Sequence, residues 1–367
     1  MNKKTIGFFL HGTGFGGYET RMFNLIKWLL ENTEIKIIIF TNQLVLDHYK
    51  DRFSFLKRIK SRVEVNYCIA NFDNSISKIF NAIKLNYLLL KKFNSFDVLI
   101  GAEYLKNAPW ISKFKKTIIN IVHPNFLGQE SSINIIEKLI YRYLFKNANK
   151  IDFLNPYIYK KVFEKFNFLT KEYCSITPCS FINHSRKKLE DMNKKNRIMW
   201  MGSFEEQKQP MLLLKAVNEI SNFLIKKEYK VKFYGKGPLE NKMRSFIKKN
   251  NLDEIVTISF TKNTHKVIEE ASIFVSSQKY TNYPSQVLLE AMDNYCIPIA
   301  TDVPDTELLV TEKNGFLFNS LDELTENLTK IVEKDESKLK ELRIKSHDIA
   351  ANHNLDRYAN HFIKLIS

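Results

Sequence analysis

Short runs rich in apolar residues alternate along this chain with longer segments whose apolar residues recur at helical spacing. Residues 5–10 (TIGFFL), 35–40 (IKIIIF), 63–69, 96–101, 117–122 and 147–154 are the short runs. All have the length of a strand, and 5–10, 35–40 and 117–122 have the composition of one buried on both faces. Between them Met22, Leu25, Ile26, Leu29 and Leu30 fall on one helical face, and residues 78–92 and 155–166 repeat that spacing. Strands alternating with helices predict a parallel sheet wrapped by helices. Residues 184–196 (HSRKKLEDMNKKN) have no apolar period and read as a linker. The same grammar then restarts, with strands at 197–201, 230–234, 256–260, 273–276 and 297–300. Helices are expected at 210–223, up to 249, and at 321–332 and 336–351.

A chain of 367 residues exceeds the roughly 250–300 at which one core stops growing. The pattern therefore predicts an α/β protein of two Rossmann-like, doubly wound parallel-sheet domains facing across a cleft. Their expected bounds are 1–185 and 197–351, joined by a linker at 186–196, with the terminal helix 352–367 packing back on the first domain.

The 44% apolar share is enough to fill two cores, and no run reaches the roughly 20 apolar residues of a membrane span. The chain opens into a strand rather than a signal peptide, so a cytoplasmic location is expected. Cys68, Cys174, Cys179 and Cys296 form no close CxxC pair, which argues against a zinc site or a disulfide framework. Charge changes the picture more. Residues 1–195 hold 32 lysines and arginines against 16 acids, whereas residues 196–367 hold 24 of each. That excess points to an anionic partner for the first half: a membrane surface, a phosphorylated acceptor or nucleic acid. Solvated lysine faces are the plainer reading. Residues 55–62 and 78–92 are basic and amphipathic, so each is either a core-facing surface helix or one lying on an anionic membrane. Nucleic acid is disfavoured, because no stacking aromatics interleave with the basic residues.

Candidate chemistry sits in the turns. In residues 11–19 (HGTGFGGYE), Gly14, Gly16 and Gly17 let backbone approach a ligand, and the helix behind them offers free N–H groups to a phosphate. A tight turn without ligand is the competing reading. His123, followed by Asn125, ends the strand at 117–122, on the rim where open α/β sheets bind ligands; a structural histidine is the alternative. In the second half, residues 202–208 form a loop closed by Lys208, and residues 235–238 read GKGP. In YPSQVLLEAMDNYCIPIATD (283–302), Pro284 opens a helix. There Glu290 stands between Leu289 and Ala291, costly to bury unless something hydrogen-bonds to it.

Taken together these motifs resemble the nucleotide-sugar-dependent glycosyltransferases of the GT-B fold, and among them the large retaining family 4, over essentially the whole chain. Gly16-Gly17-Tyr18-Glu19 is similar to the family's GGxE loop, and His123 to the histidine that reaches the transferred sugar. Gly202 and Lys208 match its GRxxxxK loop, residues 235–238 its GxGP, 283–301 the end of its EX7E element, and Asn314-Gly315-Phe316-Leu317 its NGxL turn. Two positions depart: Ser203 replaces the arginine and Asn282 the first glutamate, while the second, Glu290, is intact.

The resemblance implies His123, Lys208, Asn282 and Glu290 as catalytic residues. It implies a donor site of Gly16, Gly17, Gly202, Ser203, Lys208, Phe260, Thr261, Pro284, Ser285, Gln286, Val287 and Glu290, with Glu290 on the ribose and base selection around 260–262. Tyr18, Glu19, His123 and Asn125 would meet the acceptor. It further implies retaining transfer from a nucleotide diphosphate sugar, without metal or other cofactor, to a lipid-linked or anionic surface glycan such as lipopolysaccharide or capsule. The enzyme is expected at the inner face of the cell membrane. The alternative is a catalytically degenerate subunit that binds nucleotide sugar or glycan and partners an active transferase.

Overall fold

A computed structural model describes residues 4–10, 17–48, 62–67, 75–122, 135–182, 184, 187–261 and 263–367. The chain divides into two compact units, Met1–Pro178 with Leu355–Ser367, and Cys179–Asn354.

The strands of the first unit are β1 (Thr5–Leu10), β2 (Lys36–Thr41), β3 (Val63–Tyr67), β4 (Val98–Ala102), β5 (Lys116–Ile121), β6 (Lys150–Phe153) and β7 (Cys174–Ile176). Its helices up to that point are α1 (Gly17–Asn32), α2 (Gln43–His48), α3 (Ser75–Lys91), α4 (Ile111–Phe114), α5 (Ile135–Asn147) and α6 (Pro156–Lys165). Every strand pair is parallel, in the order β3-β2-β1-β4-β5-β6-β7. Such strands lie between helix layers, which is why β1, β2 and β4 are apolar at almost every position. Side chains alternate across the sheet. Phe9 therefore joins the core under α3 and α5, together with Leu89 and Phe145.

The second unit contains β8 (Lys195–Met201), β9 (Lys230–Tyr234), β10 (Val256–Ser259), β11 (Ala271–Ser276), β12 (Ile297–Thr301) and β13 (Phe316–Phe318). Its helices are α7 (Pro210–Glu219), α8 (Ser221–Lys226), α9 (Glu240–Lys249), α10 (Thr264–Glu269), α11 (Gln286–Asp293), α12 (Leu321–Val332) and α13 (Glu336–Ala351). Its sheet is also parallel, ordered β10-β9-β8-β11-β12-β13. In both sheets the order reverses beside the unit's first strand. In the second unit that switch point lies between the carboxyl ends of β8 and β11, where open α/β sheets bind ligands.

α14 (Leu355–Ile366) clusters with the first unit. Phe362 stacks on Phe8 at 5.9 Å, and Trp28 Nε1 donates to Asp356 Oδ1 at 2.6 Å. His361 Nε2 lies 2.9 Å from Oδ1 of the buried Asp152, whose carboxylate also accepts from Ser175 and Thr177.

The division between units corrects the expected boundary at 185 and the linker at 186–196. The chain crosses at 178/179 because Phe181 and Ile182 are buried in the second unit. Ser180 N donates to His353 Nδ1 at 3.1 Å, Ile182 N to His353 O at 3.2 Å, and Gln286 Nε2 to Phe181 O at 3.0 Å. The two crossing points are thus tied together and to the start of α11. The polar run contains a short helical turn, Leu189–Asp191, and enters β8 at Lys195.

Candidate functional site

The loop after β8 is held by its own backbone against the loop after β9. Gly202 N donates to Tyr234 O at 3.1 Å, and Phe204 N to Lys236 O at 2.9 Å. A Cβ on Gly235 would fall 1.9 Å from Gly202 O, and one on Gly237 2.7 Å from Phe204 N, so this close approach accounts for both glycines. Phe204 is fully buried and anchors the loop in the core. Gln209 then takes a left-handed conformation (φ 48°) and Pro210 opens α7. Ser277, just past β11, accepts from Trp200 Nε1 at 2.9 Å and donates to Lys208 O at 2.9 Å. These bonds hold Lys208 at the switch point. Its Nζ donates to Gln278 Oε1 at 2.9 Å, and burial holds the ammonium below its ordinary pKa, with the Glu205 charge opposing. A half-dehydrated cation with one neutral partner is poised to accept an anion.

α11 supplies the other wall. It begins at Gln286, two residues past the proline expected to open it, because Ser285 N donates to Asn282 O at 3.0 Å and closes a turn first. Leu288, Leu289, Ala291 and Met292 are buried and anchor the helix, whose first-turn amides of Gln286 and Val287 point along its axis past its start, beside the cavity they line. Those amides have no intrahelical acceptor and carry the positive end of the helix dipole.

One cavity of about 280 Å³ gathers Gly202, Lys208, Asn282, Pro284, Ser285, Gln286 and Val287. A second, of about 320 Å³, shares Met201 and Gly202 with it and adds Ser203, Phe260 and Thr261. There Lys236 Nζ lies 4.5 Å from the Phe260 ring centroid, a cation over a half-exposed aromatic face. Among the described residues neither wall contains a carboxylate. The pair suits a ligand with an anionic, hydroxyl-rich part beside Lys208 and a flat ring beside Phe260.

Asn282 is buried, with both ends of its amide meeting Ser276: Oδ1 accepts from Ser276 Oγ at 2.9 Å, and Nδ2 donates to Ser276 O at 3.3 Å. One amide proton is left for a ligand. Glu290 is not part of either wall. It sits half-buried one turn along α11, where Gln286 Nε2 donates to its Oε1 at 3.4 Å. Burial raises its pKa, while the Gln286 bond and the His265 charge oppose that rise. Tyr18 and Glu19 are buried at the start of α1 in the first unit, and burial raises the Glu19 pKa against a backbone hydrogen bond. Gly17 begins that helix. Gly16, His123 and Asn125 lie outside the described residues.

Sequence reasoning passed over Gln278, Thr281 and Lys236. Gln278 follows the end of a parallel strand, a position that marks it, and Lys236 stands inside the GKGP motif itself. Nothing local marks Thr281. Among the described residues no group of three His, Cys, Asp or Glu gathers as a metal ion requires, and no helix is long and apolar enough to cross a membrane.

Residues 195–334 match the family described as glycosyl transferases group 1. The chain is 23% identical over 313 residues to the N-acetylgalactosamine-N,N'-diacetylbacillosaminyl-diphospho-undecaprenol 4-alpha-N-acetylgalactosaminyltransferase of Campylobacter jejuni, covering 81% of this chain and 80% of that one. Its fold is that of HepE from Anabaena, solved in complex with UDP and glucose (TM-score 0.76, 12% identity, 99% of each chain). It is equally that of a glycosyltransferase from Rickettsia africae (TM-score 0.77, 14% identity, 100% of this chain and 98% of that one).

Proposed function

We propose, from the premise that this chain is a glycosyltransferase of the GT-B fold acting on a nucleotide sugar, that it retains the anomeric configuration, needs no metal, and builds a lipid-linked or anionic glycan. The observation that carries this is the gathering of Lys208, the Gly202 backbone and the first-turn amides of α11 on one cavity.

Departure of a nucleoside diphosphate loads negative charge onto its phosphate oxygens. Donors already aimed at that charge lower the barrier without reorganising. Lys208 supplies a cation and α11 a pair of N–H groups, which together do the neutralising a metal would otherwise do. Retention through a covalent glycosyl carboxylate would need a nucleophilic acid close to the sugar, and among the described residues the polar groups lining the two cavity walls are amides, hydroxyls and lysines. The resemblance instead supports front-face transfer, with a donor phosphate oxygen taking the acceptor proton. Phe260 and Lys236 would carry the base, and Glu290 the ribose.

The relative from Campylobacter is named for a diphospho-undecaprenol-linked acceptor, and the basic first half suits such an anion. We place the enzyme peripherally, at the cytoplasmic face of the cell membrane. The test is incubation with a panel of nucleotide sugars and a polyprenyl-diphosphate glycan, with chelator, followed by assignment of the new anomeric centre. An α-linked product from an α-linked donor is expected; an inverted centre, or dependence on added metal, overturns the reading.

A second reading, a binding subunit without turnover, draws on Asn282 being held by Ser276 and on Ser203 standing where a cation is usual. Slow hydrolysis of the donor that disappears in Lys208→Ala excludes it.

A further inference from the structure

The first unit turns outward apolar side chains that its core does not use. On α3, Leu85 and Leu89 enter the core, yet Phe80, Ile83, Tyr87 and Leu90, spaced i, i+3, i+7 and i+10, remain 60–68% exposed. α5 repeats the arrangement, burying Tyr141, Leu144 and Phe145 while Ile135, Ile136 and Leu139 remain 60–79% exposed. The two helices are linked through the chain between β4 and β5. Asn86 of α3 donates to Asn107 O at 3.0 Å and accepts from Trp110 Nε1, while Lys106 Nζ meets Glu137 Oε1 of α5 at 2.6 Å. Phe114 of α4, also exposed, continues the surface between them.

The charges on these elements are basic with one exception. α3 and α4 contain no acid, and the single acid of α5, Glu137, is paired with Lys106. Exposed Lys84, Lys91, Lys113, Lys138, Arg142 and Lys146 accompany the apolar residues. Beside Ile135 and Leu139 opens a cavity of about 250 Å³, walled by Lys138, Arg142 and Lys165, with Phe166 and Phe168. The Arg142 guanidinium lies over the Phe168 ring at 5.4 Å. Burial first, and the neighbouring Lys138 charge second, hold the Lys165 ammonium below its ordinary pKa. The one acid in that wall, Glu164, pairs with Lys161 at 3.2 Å.

An exposed apolar patch of this extent marks an interface. Aliphatic and aromatic residues on helices with an almost wholly basic polar complement match the boundary of an anionic bilayer. There apolar side chains enter the acyl region while lysines meet phosphates. We propose that the face formed by α3, α4 and α5 seats on an anionic phospholipid bilayer, and that the cavity between α5 and the end of α6 takes one lipid phosphate. This rests on the peripheral-membrane reading above and says which surface performs it.

The test is co-sedimentation of the full chain with phosphatidylcholine vesicles and with vesicles half phosphatidylglycerol, at low salt. Three double variants are compared: Ile83→Ser with Leu90→Ser, Ile136→Ser with Leu139→Ser, and Lys138→Gln with Arg142→Gln. Wild type should partition onto the phosphatidylglycerol vesicles only. Each serine pair should weaken that partition at least about tenfold, and the glutamine pair about twenty-five-fold, since each basic residue at such a surface is worth about fivefold. All six positions are exposed, so melting temperatures should stay within about 2 °C. Lys248→Gln with Lys249→Gln, on α9 of the second unit, should change nothing. If wild type binds neither vesicle, the peripheral reading itself falls. If wild type binds and both serine pairs bind equally, the peripheral reading stands and this face is wrong. If only the glutamine pair is silent, the phosphate cavity is wrong. An equal loss in the α9 pair shows undirected charge attraction and overturns the assignment.

Discussion

The two units are built on the same doubly wound parallel sheet, yet they leave different things uncovered. Of the fifteen large apolar side chains exposed among the described residues, eleven are in the first unit and four in the second, and one of those four, Phe260, lines a cavity. The first half holds the whole basic excess; the second is neutral. In the second unit the special features are inward: two loops locked backbone to backbone, a cation buried beside a helix start, and glycines required by close approach. One fold thus presents recessed cavities at the sheet's switch point in one copy and an outward apolar, basic face in the other. The sheet dictates where strand ends and helices lie, while the residues placed there decide which is used.

That contrast can be broken by substitutions in the second unit, which should act on the donor and leave membrane partition untouched. Lys208→Ala should have the largest effect. Removing an aimed donor of this kind lowers turnover by about 10²- to 10³-fold, read by steady-state transfer, with vesicle binding unchanged. Parallel loss of vesicle binding would mean that the two units do not divide the work. Gly235→Ala should cost about 3 kcal/mol in a denaturant titration, because its Cβ would overlap Gly202 O. A neutral result would show that the two loops are not locked.

Glu290→Gln sharpens the comparison in the opposite sense. Burial raises the carboxyl pKa, so its contribution to stability is present below the ordinary glutamate value and is lost as pH rises through the raised one. The glutamine variant should therefore melt higher than wild type at pH 7, with the gain vanishing toward pH 4. Nucleotide-sugar affinity should fall roughly tenfold, the size expected for a hydrogen bond to a charged group. A variant that melts lower at pH 7 contradicts the cost of burial; one that binds donor unchanged removes Glu290 from the ribose.

The smallest effect is expected at His184. Its Nδ1 lies 2.7 Å from Oδ1 of the fully buried Asp293, and that hydrogen bond raises its pKa against burial. The resulting stability is present below the ordinary imidazole value and is lost as pH rises through the raised one. His184→Gln should lower the melting temperature by about 2 °C at pH 6 and by less at pH 9. Equal deficits at both would show that the imidazole charge is irrelevant there.

Much of this molecule could be read from the order of its residues. The apolar runs at β1, β2 and β12 read as strands buried on both sides, because each is too short for a helix and is rich in branched or aromatic residues. Gly235 and Gly237 were recognisable because the close approach of two loop backbones imposes glycine at short separation. Periodicity along one helix predicts a stripe and is silent on which side the sheet will take. Only packing decided that Leu85 and Leu89 go inward while Phe80, Ile83, Tyr87 and Leu90 stay out. Likewise, the polar run at 186–196 resembled a linker, but burial of Phe181 and Ile182 places the crossing earlier. The joining of Asn282 to Ser276, of Lys208 to Gln278 and of Lys236 to Phe260 depends on strands β8, β9, β10 and β11 lying side by side. Local sequence encodes what each segment can form, because dihedral preference and period are local. Which side chains end up solvated, paired or facing a ligand is settled by contacts between segments distant in the chain, and so by the tertiary structure.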